Sequence, residues 1–178
     1  MNIYLEDAFE ELKRADHLIY VSLKYTRTVD IIKSIVERLI NSFDFAILGI
    51  LTMHKERGLV QTIPKSPGLR AGMVKDYYKD EPVVQEFIQF YHLLRDISRA
   101  EYKRSSEYRR HVTMTAMLDS GTVQIDIDKI SEYYRKTRIF VDLVNQILES
   151  TEVSKEMPKL DMAKLRDSVI TEMEFKRG

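Results

Sequence analysis

The stretch Pro82 to His111, PVVQEFIQFYHLLRDISRAEYKRSSEYRRH, decides how the chain is read. Val84, Phe87, Tyr91, Leu94 and Ile97 recur at three- and four-residue steps, so a helix starting here carries one apolar stripe that must be buried. Asp80 or Glu81 can cap it, and Pro82 suits its first turn. The stripe fades after Ile97. Between Arg95 and Arg110 there are six Lys/Arg against three acids, and His111 closes the run. The pattern predicts one continuous helix, apolar in its first half and basic in its second, with any chemistry sited at the handover.

The flanking segments supply what such a stripe packs against. Leu5, Ala8, Phe9, Leu12, Ala15, Ile19 and Leu23 share one face of a helix over residues 3–26, with Glu6, Glu10, Lys13 and Arg14 outside it. Thr28 or Asp30 can cap a second helix with Val29, Ile32, Val36, Leu39, Phe43, Ile47 and Ile50 as its buried face, and Gly58 supplies a stop. Two long amphipathic helices separated by two or three residues fold back on each other. In the second, Asp30, Glu37, Asn41 and Asp44 form a separate polar stripe: either a solvated face or a groove facing the basic end of the third helix. Residues 58–80 hold two of the four prolines and three of the six glycines, which reads as a long loop. Its Lys65, Arg70, Lys75 and Lys79, with Tyr77 and Tyr78, either contact a phosphate chain and its bases or are simply solvated.

Downstream, VTMTAML and TVQIDI alternate on either side of Asp119-Ser120-Gly121, the pattern of a small β-hairpin over 112–127; Met, Ala and Leu would equally extend the helix to about residue 118. Asp126 or Asp128 caps a fourth helix with Ile130, Tyr133 or Tyr134, Thr137, Phe140 or Val141, Val144, Ile147 and Leu148 on its buried face, ending near Ser150. Residues 151–158 read as a polar linker. Leu160 to Phe175 reads as a short helix whose stripe, Met162, Leu165, Val169 and Met173, is too small to be stable unless docked on its own bundle or on a second subunit. The expected fold is mainly α: an antiparallel up-down four-helix bundle in a single domain over 1–150, with an accessory C-terminal helix in 151–178.

The totals narrow the function classes. A chain of 178 residues suits one compact domain, and 28 basic residues balance 28 acidic ones, so any electrostatic binding comes from a local patch. No cysteine is present, which excludes disulfides, thiolate metal sites and cysteine nucleophiles. No apolar run approaches the roughly 18 residues of a membrane span, and the first residues lack a signal pattern, so a cytoplasmic protein without membrane partners is expected. No two of His17, His54, His92 and His111 stand at the His-x-x-x-His spacing of a zinc pair, and no phosphate-binding glycine loop or dinucleotide fingerprint occurs. No metal and no cofactor are therefore expected.

Arg104 and His111 remain. On a continuous helix seven residues amount to about 700° of rotation, placing the two within roughly 20° on one face and about 10 Å apart. A phosphodiester fits between them. A guanidinium can hold phosphate oxygens or transition-state charge, and an imidazole can move the proton of the 2′-hydroxyl or the leaving oxygen. Arg99, Lys103, Arg109, Arg110 and Tyr108 would then hold the rest of a strand through its phosphates and bases. An ordinary i, i+3 ion pair of Arg104 with Glu107 on a solvated helix end explains the same residues without chemistry.

Arg104, six residues, then His111, at the end of the third long helix of a four-helix bundle, resembles the HEPN superfamily. The resemblance spans about residues 3–150 in topology and rests on these two residues for its motif. It implies a homodimer in which two motifs face one cleft and cut RNA without metal. It implies also a toxin, defence or RNA-processing role and a cognate partner protein. The sequence-based expectation is thus a metal-independent endoribonuclease with Arg104 and His111 as catalytic residues. The alternative is a non-catalytic homodimeric module that binds RNA or a protein.

Overall fold

A computed structural model describes residues 2–153. The first helix, α1 (Ile3–His17), continues through a π-helical turn (Leu18–Leu23) into α2 (Lys24–Thr26). Then follow α3 (Val29–Glu56), α4 (Pro67–Tyr77), α5 (Pro82–Arg99), β1 (Glu101–Ser105), β2 (Thr113–Leu118), β3 (Gly121–Ile125) and α6 (Ile127–Val153). The helices pack together in a mainly α fold, with α3 central and touching α1, α4, α5 and α6. None of the described helices is long and apolar enough to cross a membrane.

Burial follows the sequence periodicity. Val29, Ile32, Val36, Leu39, Phe43, Ile47 and Ile50 of α3 are all buried, as are Val84, Phe87, Tyr91, Leu94 and Ile97 of α5 and Ile130, Phe140, Val144 and Ile147 of α6. Aromatic rings fill the seam between α3, α5 and α6. Phe43 stacks on Phe140 with centroids 4.5 Å apart, and Phe90 and Tyr91 stand 5.8 and 5.4 Å from Phe43. Caps fix where helices begin: Asn2 accepts the Tyr4 N–H at 2.9 Å, and Asp126 accepts the Lys129 N–H at 2.8 Å.

Two expectations need correction. The 58–80 segment is not loop throughout, because α4 occupies Pro67–Tyr77 and buries Ala71 and Val74. Gly68 and Gly72 hide it, since two poor helix formers one turn apart read as a break. A Cβ at Gly68 would lie 3.1 Å from a guanidinium nitrogen of Arg95, the movable end of a long side chain. Second, α5 stops at Arg99 and does not run to His111. Ala100 takes up an extended conformation (ψ 151°) while its N–H still bonds Asp96 O at 3.0 Å. Beyond Ile97 no apolar stripe keeps the chain on the bundle, and backbone pairing with β2 holds it instead.

The hairpin alternative holds for β2 and β3, and β1 joins them in an antiparallel sheet of order β1-β2-β3. Register places Arg104 opposite Met114, Tyr102 opposite Ala116 and Met114 opposite Ile125. Met114, Ala116 and Ile125 are buried, so this face lies on the bundle while Lys103, Thr115 and Gln124 share the outer face. The expected C-terminal helix over 160–175 lies outside the described residues.

Candidate nucleic-acid interface

Apart from Arg99, the last residue of α5, the residues singled out from the sequence fall on β1 and on the seven-residue turn that joins it to β2. Arg104 points with Tyr102 toward the start of α3. Its guanidinium donates to Asp30 at 2.8 Å, to Glu107 at 3.2 Å and to the Tyr102 hydroxyl at 3.0 Å, and lies 5.3 Å from the Tyr102 ring centroid. The hydrogen bond from Arg104 holds the Asp30 carboxyl below its usual range, and the same contact raises the guanidinium further above its own. Lys33 of α3 covers the Tyr102 ring at 4.7 Å. Arg104 therefore ties the edge strand to the bundle. Of the polar stripe on α3, Asp30 meets this basic segment, Asn41 bonds Glu11, Asp44 accepts from Tyr91, and Glu37 is exposed.

Two further contacts fix the turn. Thr28, the residue preceding α3, makes no side-chain cap; Glu107 supplies one from across the fold, accepting the Val29 N–H at 3.1 Å. The Tyr108 N–H donates to the Arg27 carbonyl at 2.8 Å. Arg27 (φ 51°), Ser106 (φ 55°) and Tyr108 (φ 64°) all adopt the left-handed conformation that side chains other than glycine usually avoid. Val112, fully buried, pins the far end.

Pinned from behind, the turn shows its other side chains to solvent. Tyr108 is 75% exposed, and Arg109, Arg110 and His111 are exposed beside it. Tyr25, 81% exposed, lies two residues before Arg27, which accepts from the turn. Arg27 meets the turn and Arg109 and Arg110 lie in it, while the neighbouring carboxylates Asp30 and Glu107 are both engaged by Arg104. The result is a local cationic surface around the open Tyr108 ring on a molecule of zero formal net charge.

Tyr108, Arg109, Arg110 and His111 are thus brought to one end of the sheet, while Lys103 stands in the middle of β1 on its outer face. Arg99 is not at that end: it ends α5, before the opposite end of β1, and lines a shallow hollow of about 350 Å³ with Met117, Leu118 and Asp119. Nor do Arg104 and His111 share a helix face, because one is on a strand and the other in a turn; the geometry expected from a continuous helix does not hold. Sequence reading missed Tyr25 and Arg27, which adjoin the turn from some eighty residues away. Compared with protein-family models, with curated proteins and with solved structures, the chain matches none.

Proposed function

We propose that this protein is a HEPN-like helical module that binds single-stranded RNA through the β1–β2 turn, acting as a homodimer and with a cognate partner protein. The observation that carries the reading is the setting of Tyr108: an exposed ring on a left-handed residue, anchored through its backbone to Arg27 and followed by two exposed arginines. Backbone strain of this kind costs on the order of 1–3 kcal/mol and persists only where surrounding contacts impose it. Here the Glu107 cap, the Arg27 bond and buried Val112 impose it, and their net effect is to present a ring and two guanidiniums outward. Bases stack on such a ring whatever their sequence, and the arginines neutralise phosphates.

Cutting by Arg104 and His111 is the stronger form of the same proposal. In its favour, Arg104 stands on the strand that leads into the turn holding His111, and His111 is exposed, with its carbonyl accepting from Thr113 at 2.8 Å. Against it, the Arg104 guanidinium already serves two carboxylates and would have to release one to hold a phosphate.

A single assay separates the two. Labelled single-stranded RNA is incubated with the protein in the presence of a chelator, and both retention and product ends are read. The combined Tyr108→Ala, Arg109→Ala, Arg110→Ala variant is expected to bind about 100-fold more weakly. Binding without product at any time supports the module. Product ending in 2′,3′-cyclic phosphate, lost in His111→Ala while binding stays, supports the nuclease. Absence of binding by the unmodified protein at low salt overturns both.

A further inference from the structure

A second cationic site lies at the C-terminal end of α1, and nothing in the β1–β2 turn accounts for it. Lys13, Arg14, His17 and Leu18 from α1 and the turn that follows it, with Arg38 from α3, enclose an open hollow of about 380 Å³. That volume falls at the small end of the range for ligand pockets.

Its charges are assembled on a buried anchor. Glu11, 4% exposed, takes an ion pair from Arg14 on its own helix and one from Arg38 on α3 at 3.2 Å, while the Asn41 amide donates to the same carboxylate at 3.3 Å. A buried carboxylate so paired costs several kcal/mol to desolvate, and replacing such a pair by apolar residues is often neutral or stabilising. Here the arrangement holds two guanidiniums from two helices at the edge of one cavity. Each has five N–H donors and spends few of them on Glu11, so donors remain for a second anion. Lys13, paired only with exposed Glu10 among the described residues, and exposed His17 complete the rim. Three permanent cations face two carboxylates, Glu10 and Glu11, and this excess of positive charge suits an anionic ligand.

The wall between these charges is mostly carbon: Leu18 and the stems of the basic side chains. A bare inorganic anion would leave that surface unused. A phosphate monoester carried on a flat apolar body would use both parts, its phosphate between the guanidiniums and its body on Leu18 and the His17 ring. The hollow also sits where α1 gives way to the π turn at Leu18. π turns are rare, occur mostly as short insertions within α-helices and are frequent at functional sites.

We propose that the Lys13–Arg14–His17–Arg38 hollow binds the phosphate monoester of a mononucleotide, free or at the 5′ end of a strand. The site does not depend on RNA binding at the turn, and its test leaves the turn residues intact. Calorimetric titration of the whole protein would use AMP, adenosine, inorganic phosphate, and a short RNA with and without a 5′-phosphate. AMP is expected to bind with a dissociation constant below about 1 mM, and adenosine and inorganic phosphate each at least about tenfold more weakly. A 5′-phosphorylated RNA that outcompetes both AMP and its 5′-hydroxyl counterpart identifies the ligand as a strand end; AMP binding without that preference identifies a free nucleotide.

Lys13→Gln and His17→Ala, both at exposed positions, are expected to weaken AMP by about 3- to 10-fold each without changing the melting temperature. Arg38→Gln is expected to weaken it further, with some loss of stability because Glu11 loses a partner. The proposal is overturned if AMP does not bind at about 10 mM, if inorganic phosphate binds as tightly as AMP, or if Lys13→Gln and His17→Ala leave the affinity unchanged.

Discussion

Phe43→Ala is expected to lower the unfolding free energy by about 3–5 kcal/mol, the largest single-residue effect we anticipate in the bundle. The ring is fully buried and stacks on Phe140 of α6 at 4.5 Å while meeting Phe90 and Tyr91 of α5, so its removal opens a cavity where three helices converge. Domains of this kind have total stabilities of about 5–15 kcal/mol, so the variant should lose a large share of its stability and be partly unfolded if that total is low. Urea denaturation followed by circular dichroism measures it. Phe43→Leu, which keeps most of the volume, should cost well under half as much. A loss below about 1 kcal/mol for Phe43→Ala would mean that the helices do not converge on this ring.

The second large effect concerns pH. His54, 1% exposed near the end of α3, shares a 2.8 Å hydrogen bond with the Tyr78 hydroxyl and has the Tyr77 ring 3.9 Å from its own. Its Nδ1 is buried with no partner among the described residues. Burial, and secondarily the charge of Arg57, pushes the imidazole down to about 4. The folded state therefore binds the proton less readily than the unfolded chain, whose histidine titrates near 6.5. The stabilisation this gives is complete above pH 6.5, shrinks as pH falls through 6.5 toward 4, and is exhausted below that. Its size is about 3 kcal/mol at most. Urea midpoints at pH 7, 5.5 and 4 should fall steeply for the native sequence and less steeply for His54→Gln. The comparison between the two matters because other groups titrate as well: burial raises the Asp44 carboxyl, which works in the opposite direction. Parallel curves for the two proteins would show that His54 is not held neutral by the fold.

The four long helices were legible because each repeats an apolar face over many turns, and burial of that face is what holds the bundle. What the pattern could not reveal was decided by contacts distant in sequence. Glu101 to Ser105 carries no alternation of apolar and polar residues and reads as the solvated end of a helix. It becomes a strand because β2 offers it a backbone ladder and because Arg104 finds Asp30, seventy-four positions away. The α3 cap likewise comes from Glu107, not from a neighbour. Two glycines concealed α4, and the π turn at Leu18–Leu23 has no distinguishing composition. At the candidate interface, the basic composition of Tyr108, Arg109, Arg110 and His111 was readable, but its mounting on a strained turn beside Arg27 was not.

The claim that the β1–β2 turn contacts the phosphates of a single strand is tested most directly by the salt dependence of RNA affinity. Each phosphate neutralised on a single strand contributes about 0.7 to the slope of log affinity against log salt. For the Arg109→Ala, Arg110→Ala double variant the slope should be shallower than that of the unsubstituted protein by about 1.4. Equal slopes for the two proteins, with RNA bound by both, would place the contacts elsewhere and contradict the account.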